Sequence, residues 1–221
     1  MIFAVIPRSA YPRAVEPRRD VDIRGRLDEA TLAALSRGDP STIEAALRAL
    51  HPEIRRRMHH LLGPRAELDD AVQDTLIELA RALPRFEGRA SLATLASRIT
   101  VRTAFRYFGR SPTVSLDATP TLELVDDGDP ESRVAVRETL RRLYRCLEKL
   151  SPKRRVAFVL CSVEGMQPAE AAEIEGIPSL VMRARLLEAR NEVARLMKGD
   201  PLAMALLDKS PRSRDRIGGE S

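Results

Sequence analysis

The apolar positions of this chain recur mainly at steps of three and four, the spacing of helices that bury one face. From Leu27 the pattern predicts a short helix to Ser36, broken by Gly38-Asp39-Pro40. Ser41 is then placed to cap a second helix, whose stripe is Ile43, Leu47, Leu50, Ile54, Met58 and Leu61. Pro52 is a point where that helix can kink, and Gly63-Pro64 closes it. A third helix begins near Glu67, with Leu68, Val72, Leu76, Leu79 and Leu83 on its apolar face. Pro84 and Gly88 bound a short loop before Ser91 caps a fourth helix that runs toward Arg110. Residues 27–110 therefore read as one helical domain.

Charge divides the last two of these helices. On the third, Asp70, Asp74 and Glu78 recur every fourth residue, so carboxylates line one face while leucines take another. On the fourth, Arg98, Arg102, Arg106 and Arg110 have the same spacing, and four residues overshoot one turn by about 40°, so the ladder winds slowly round the axis. Guanidiniums in a row suit a phosphate backbone, and Phe105, Tyr107 and Phe108, if exposed beside them, suit unstacked bases. The two helices are expected to face different partners.

Residues 111–132 break the helical regime, with six acids, three prolines and no Lys or Arg, which makes them an acidic flexible linker. A second helical domain, 133–198, starts near Arg133 with Leu140, Leu143, Leu147 and Leu150 in phase. Ser151-Pro152 opens its next helix, which carries the apolar run VAFVLCSV. Then a small helix containing Ala172, a turn at Gly176, an inward Ile177 and a longer helix from about Ser179 give the layout of a helix-turn-helix. Residues 179–198 hold five basic groups against two acids, and Arg183, Arg185 and Arg190 are candidates to reach phosphates or base edges. The flanks, 1–26 with six arginines and Pro7, Pro12 and Pro17, and 199–221 with Pro201, Pro211 and Gly218-Gly219, are expected to be a flexible arm and tail.

Composition adds bounds rather than identity. Ala, Leu, Arg and Glu dominate 221 residues with no Trp and only 4% aromatics, which favours an all-α fold packed by aliphatics. A net charge of +5 is compatible with a polyanionic partner. Cys146 and Cys161 sit in apolar helical contexts, as buried thiols of a reducing cytoplasm would. His51, His59 and His60 lack metal-ligand spacing, and no apolar run is long enough for membrane insertion. No nucleophile–base pair, phosphate loop or metal triad is present, so the chain is expected to be no enzyme and to need no cofactor. A Mg²⁺ nuclease built on Asp70, Asp74 and Glu78 would need a second ligand-bearing segment.

The segment ELDDAVQDTLIELARALPRFEGRASLATLASRI resembles the second conserved region of bacterial sigma factors of the extracytoplasmic-function (ECF) group, and LEKLSPKRRVAFVLCSVEGMQPAEAAEIEGIPSLVMRARLLEARNEVARL resembles their fourth. The resemblance implies two small helical domains that bind core RNA polymerase and direct promoter-specific initiation. It implies that Asp69, Asp70, Gln73, Asp74 and Glu78 dock on the clamp helices of the beta-prime subunit, with the beta flap as a second polymerase contact. It further implies that Arg85, Phe86, Arg89, Ser91, Arg98, Arg102, Arg106, Tyr107 and Arg110 act on the minus-ten element and hold an extruded base. Ser179, Arg183, Arg185 and Arg190 would read the minus-thirty-five element, the linker would thread toward the polymerase active site, and a cognate anti-sigma factor would be a further partner. The sequence departs from the family where Leu95 replaces a common Trp, Arg102 a common Asn, and Leu180-Val181 the usual Gly-Thr; with Pro178 in place of a Ser, Ser179 is left to cap the recognition helix. Two alternatives stay open on sequence alone: a helix-turn-helix regulator that works without polymerase, and a polymerase-binding decoy that has lost promoter reading.

Overall fold

The computed structural model describes residues 21–25, 27–108 and 130–198, and among them the secondary structure is entirely helical. The expected arm, most of the linker and the tail lie outside these residues. Helices α1 (Glu29–Ser36), α2 (Pro40–Leu62), α3 (Leu68–Ala82) and α4 (Leu92–Tyr107) make the first bundle, with a 3₁₀ turn at Leu83–Arg85. Helices α5 (Pro130–Lys149), α6 (Pro152–Phe158), α7 (Pro168–Glu175) and α8 (Ser179–Leu196) make the second.

The caps show how the sequence sets these boundaries. Asp28 accepts from the Thr31 amide at 2.7 Å and starts α1. Asp39, not Ser41, caps α2: its carboxylate accepts from the Thr42 amide at 2.8 Å and from the Ser41 and Thr42 hydroxyls, each at 2.6 Å. A carboxylate is the stronger acceptor, and Pro40 fills the first helical position, where its missing N–H costs nothing. α2 stays helical through Pro52. Ser91 caps α4 as expected, accepting from the Thr94 amide at 3.1 Å. α5 begins at Pro130, three residues before the expected Arg133, because proline at a first position followed by Glu131 is a good helix start. Ser151 and Pro152 open α6, which ends in a π-helical turn, Val159–Val163, that nothing in the sequence pattern foretold.

The two helical sets are packed together, and their buried apolar residues form one continuous cluster. Arg57 of α2 and Glu164, just beyond the π turn, are both almost fully buried and meet at 2.8–2.9 Å. Arg57 also donates to Ser97, and His60 Nδ1 lies 3.3 Å from the same glutamate. Burial alone would raise the Glu164 carboxyl, but the His60 contact and the Arg57 charge outweigh it and hold it below the usual carboxylate range. Around this centre, Tyr144 of α5 packs edge-on against His59 with its hydroxyl 3.3 Å from Nδ1, Arg65 reaches Glu148 at 3.6 Å, and Arg155 lies over the Phe108 ring at 5.2 Å. Gly63, with φ +78°, ends α2 against the Tyr144 ring. Both cysteines are buried, and burial pushes the Cys161 thiol up to about 11.

Candidate functional site

The acidic face of α3 and the arginine ladder of α4 turn out to face each other. Arg102 binds Glu78 at 2.7 Å, Arg106 binds the second oxygen of Glu78, and Arg106 also lies 3.6 Å from Asp74. Partial burial alone would raise Glu78, but hydrogen bonds from Arg106 and Arg102 hold its carboxyl below the ordinary value. The same contact raises Arg106. The expectation of two unrelated surfaces is therefore corrected, and its cause is register. Helices α3 and α4 pack against each other with partners running in opposite directions, Arg102 with Glu78 and Tyr107 with Asp74, which sets every fourth residue of one helix beside every fourth of the other.

What remains outward on α3 is its N-terminal end. Asp69, Asp70 and Gln73 are exposed, whereas Asp74 and Glu78 are half-covered by α4. Asp69 carries an ion pair with Arg55 of α2.

Tyr107, Phe105 and Phe108 do not stand out as base-stacking platforms. Tyr107 is 3% exposed and donates its hydroxyl to Asp74 at 2.9 Å, while Phe105 and Phe108 form an edge-to-face pair against the core, with ring centres 5.6 Å apart. The period explains the difference: Val101, Ala104 and Tyr107 follow one another at i, i+3 and i+6 on the buried face, and the arginines hold the other. Arg98 donates to the Glu173 carbonyl of α7 at 3.2 Å, so the second bundle caps this end of the ladder. In the loop before α4, Arg85 and Arg89 are exposed, Phe86 is half-buried against the core, Arg89 pairs with Glu87, and Ser91 is engaged as the cap. Leu95 is half-buried against the core, so it packs where a larger ring was expected. Arg110 lies outside the described residues.

The helix-turn-helix is built as the sequence implies. Gln167 and Glu170 form a reciprocal capping box at the start of α7, Gly176 adopts φ +67° at its end, and Ile177 packs partly inward. Pro178, in extended conformation, precedes α8 and takes the cap position that was expected of Ser179. The Ser179 hydroxyl oxygen is buried and makes no hydrogen bond among the described residues. Two of the expected DNA-reaching arginines are engaged in the fold: Arg185 binds Glu175 at 2.7 Å, and Arg190 donates to Ser162 at 3.1 Å. Burial raises the Glu175 carboxyl despite the nearby Arg185. Arg183 is exposed, as are Leu180, Val181 and Leu187.

The Arg57–Glu164 centre is the main feature that sequence inspection missed. One signal was available: Arg57 stands three residues after Ile54 and four before Leu61, in phase with an apolar stripe where a lone charge needs a buried partner.

Comparison with known proteins accounts for both bundles. The family model for sigma-70 region 2 matches residues 46–111, and the model for sigma-70 region 4 matches residues 140–193. Together these matches span more than half of the chain, in the order the family requires. The chain is a sigma-70 factor of the ECF type. It is 27% identical over 172 residues to the ECF RNA polymerase sigma factor SigM of Mycobacterium tuberculosis, covering 78% of this chain and 85% of that protein. To the ECF RNA polymerase sigma-E factor of Escherichia coli it is 29% identical over 140 residues, covering 59% and 73%. Its fold matches that of CnrH, solved in complex with the cytosolic domain of CnrY, at a TM-score of 0.57 and 22% identity over 78% of this chain and 98% of that one. It also matches the sigma factor RpoE of Bartonella quintana, solved with the anti-sigma factor NepR, at a TM-score of 0.51 and 22% identity, covering 71% and 97%. As a member of this family the sigma factor joins RNA polymerase and promoter DNA in transcription initiation, a non-catalytic role. No helix among its described residues is long and apolar enough to cross a membrane.

Proposed function

We propose that this sigma factor docks on the polymerase beta-prime clamp helices through the N-terminal half of α3, with Asp69, Asp70 and Gln73 as the contact and Asp74 at its edge. The observation that supports this is the split of the acidic row: its first members are exposed and its last, Glu78, is occupied by Arg102 and Arg106. Arg85, Phe86, Arg89 and α4 then act on the minus-ten element, and α8 enters the minus-thirty-five major groove. In that scheme the first bundle serves polymerase and the melted strand, the second serves duplex DNA, and residues 111–129 connect them. A cognate anti-sigma factor is part of the same proposal, supported by the fold shared with the sigma factor RpoE solved with the anti-sigma factor NepR.

The test is charge reversal with purified core polymerase. Asp70→Lys is expected to weaken retention on core by at least about tenfold, as loss of a charged interfacial pair does, with unchanged helical content because the position is exposed. Unchanged retention would remove the docking face from the N-terminal half of α3. In run-off transcription, the wild-type holoenzyme is expected to start at defined promoters that core alone ignores.

A further inference from the structure

The outward face of α8 is apolar where a DNA-reading helix is usually polar. Among the described residues the exposed large hydrophobics are Ile77, Leu180, Val181 and Leu187, so three of them stand on this helix, and Leu180 is 75% exposed. Leu180, Ala184 and Leu187 follow at i, i+4 and i+7 and are all exposed, which makes one stripe of about two turns. Arg183 is exposed beside the stripe. Other polar groups in the first turns of the helix are engaged: Arg185 is held by Glu175 and the Ser179 hydroxyl is buried, while Arg190 is held by Ser162 and the exposed Glu188, Asn191 and Arg195 lie toward its C-terminal half.

A helix of this kind places its first two turns against base edges in the major groove. There thymine alone presents a methyl group, and apolar side chains recognise it, while hydrogen-bonding edges need partners that this face does not offer. We propose that this sigma factor reads thymine methyl groups in its minus-thirty-five element, with Leu180 and Ala184 as the specificity-determining contacts, Leu187 extending the apolar strip, and Arg183 anchoring a phosphate. The inference rests on the placement of α8 in that groove. Basic groups favour DNA as the occupant over a protein: Arg183 and Arg195 are exposed on this helix and Lys198 just beyond its end.

The experiment uses holoenzyme made from core polymerase and the full chain. Promoters are selected by run-off transcription from a library randomised across the minus-thirty-five element, then resynthesised with deoxyuridine in place of thymine there, which removes the methyl and leaves every hydrogen-bonding edge intact. Selected elements are expected to be rich in thymine, and each methyl removed is expected to lower transcription about fourfold, the factor for one buried methyl-sized group. Leu180→Ala is expected to bring that ratio toward one, and Leu180→Met, which keeps apolar reach, to retain it; at so exposed a position both variants fold. A promoter that still requires its minus-thirty-five element but is indifferent to uracil overturns the methyl reading, and this is also the outcome if the stripe seats a protein. A promoter used equally well with that element scrambled overturns the placement of α8 itself.

Discussion

His59 is buried between α2 and Tyr144 of the second bundle, and its basicity is set by that position. Burial, with the charges of His60 and Arg55, lowers it from 6.5 to about 4, so the folded protein keeps an unprotonated ring whose Nδ1 can accept from the Tyr144 hydroxyl. Tyr144 remains the donor, since burial raises its own hydroxyl well above the usual value. The unfolded chain binds a proton at about 6.5 and the folded chain resists it, so stability is full above that pH and falls as pH drops from 6.5 toward about 4. The loss amounts to about 3 kcal/mol across that window. Urea unfolding at a series of pH values is expected to show this fall in the wild type and a flatter profile in His59→Gln, whose amide can still accept from Tyr144. Residues of this kind were the hardest to foresee. A histidine or an arginine reads as polar in sequence, and only Arg57, in step with Ile54 and Leu61, betrayed a buried position. Its partner Glu164 lies 107 residues away, and no local pattern announces a pair at that separation.

At the scale of elements, periodicity and end signals located the helices well because both are local. Ser91, Pro152 and Gly176 mark ends by chemistry confined to one turn. Ser41 and Ser179 failed for the same local reason, since a better acceptor or an extended proline stood one or two residues upstream. Periodicity also named the exposed faces of α3 and α4 but could not say that they oppose each other, which depends on how the helices dock. The seam yields a test. Glu78→Gln removes the negative charge, and one of the two acceptor oxygens, that Arg102 and Arg106 share, and with both arginines well exposed stability is expected to fall by less than about 1 kcal/mol. Freed arginines are expected to strengthen promoter opening by the holoenzyme, measured as permanganate reactivity of unpaired thymines. Weaker opening would show that the seam holds α4 in its working orientation.

Across the whole molecule, the packed arrangement and the proposed task are geometrically incompatible. The two promoter elements are separated by about 25 base pairs, or about 85 Å of duplex, whereas a packed body of this length has a radius of gyration of about 17 Å. In the structure, Arg98 of α4 touches α7 directly at 3.2 Å. On the proposed promoter contacts the two bundles would have to separate, and the buried Arg57–Glu164 pair is the contact whose loss is expected to favour that. Breaking a buried pair costs about 3–5 kcal/mol only while both groups stay buried. In an opened molecule each regains water, so Glu164→Gln is expected to shift the population toward separated bundles. Small-angle scattering is expected to report a larger radius of gyration for that variant at neutral pH. An unchanged radius would mean that the apolar contacts alone hold the bundles together. The fork at Glu78 has a further consequence once the molecule is open. On the proposed minus-ten contacts, Arg102 and Arg106 would arrive at DNA already neutralised by a carboxylate of the same chain, with Glu78 as a tethered counterion. Each phosphate that takes an arginine must displace it, and the released carboxylate draws a cation back from solution. Ion release on DNA binding is then smaller than the number of ladder arginines implies, and the affinity of this basic protein for DNA declines less steeply with ionic strength than its arginine content suggests.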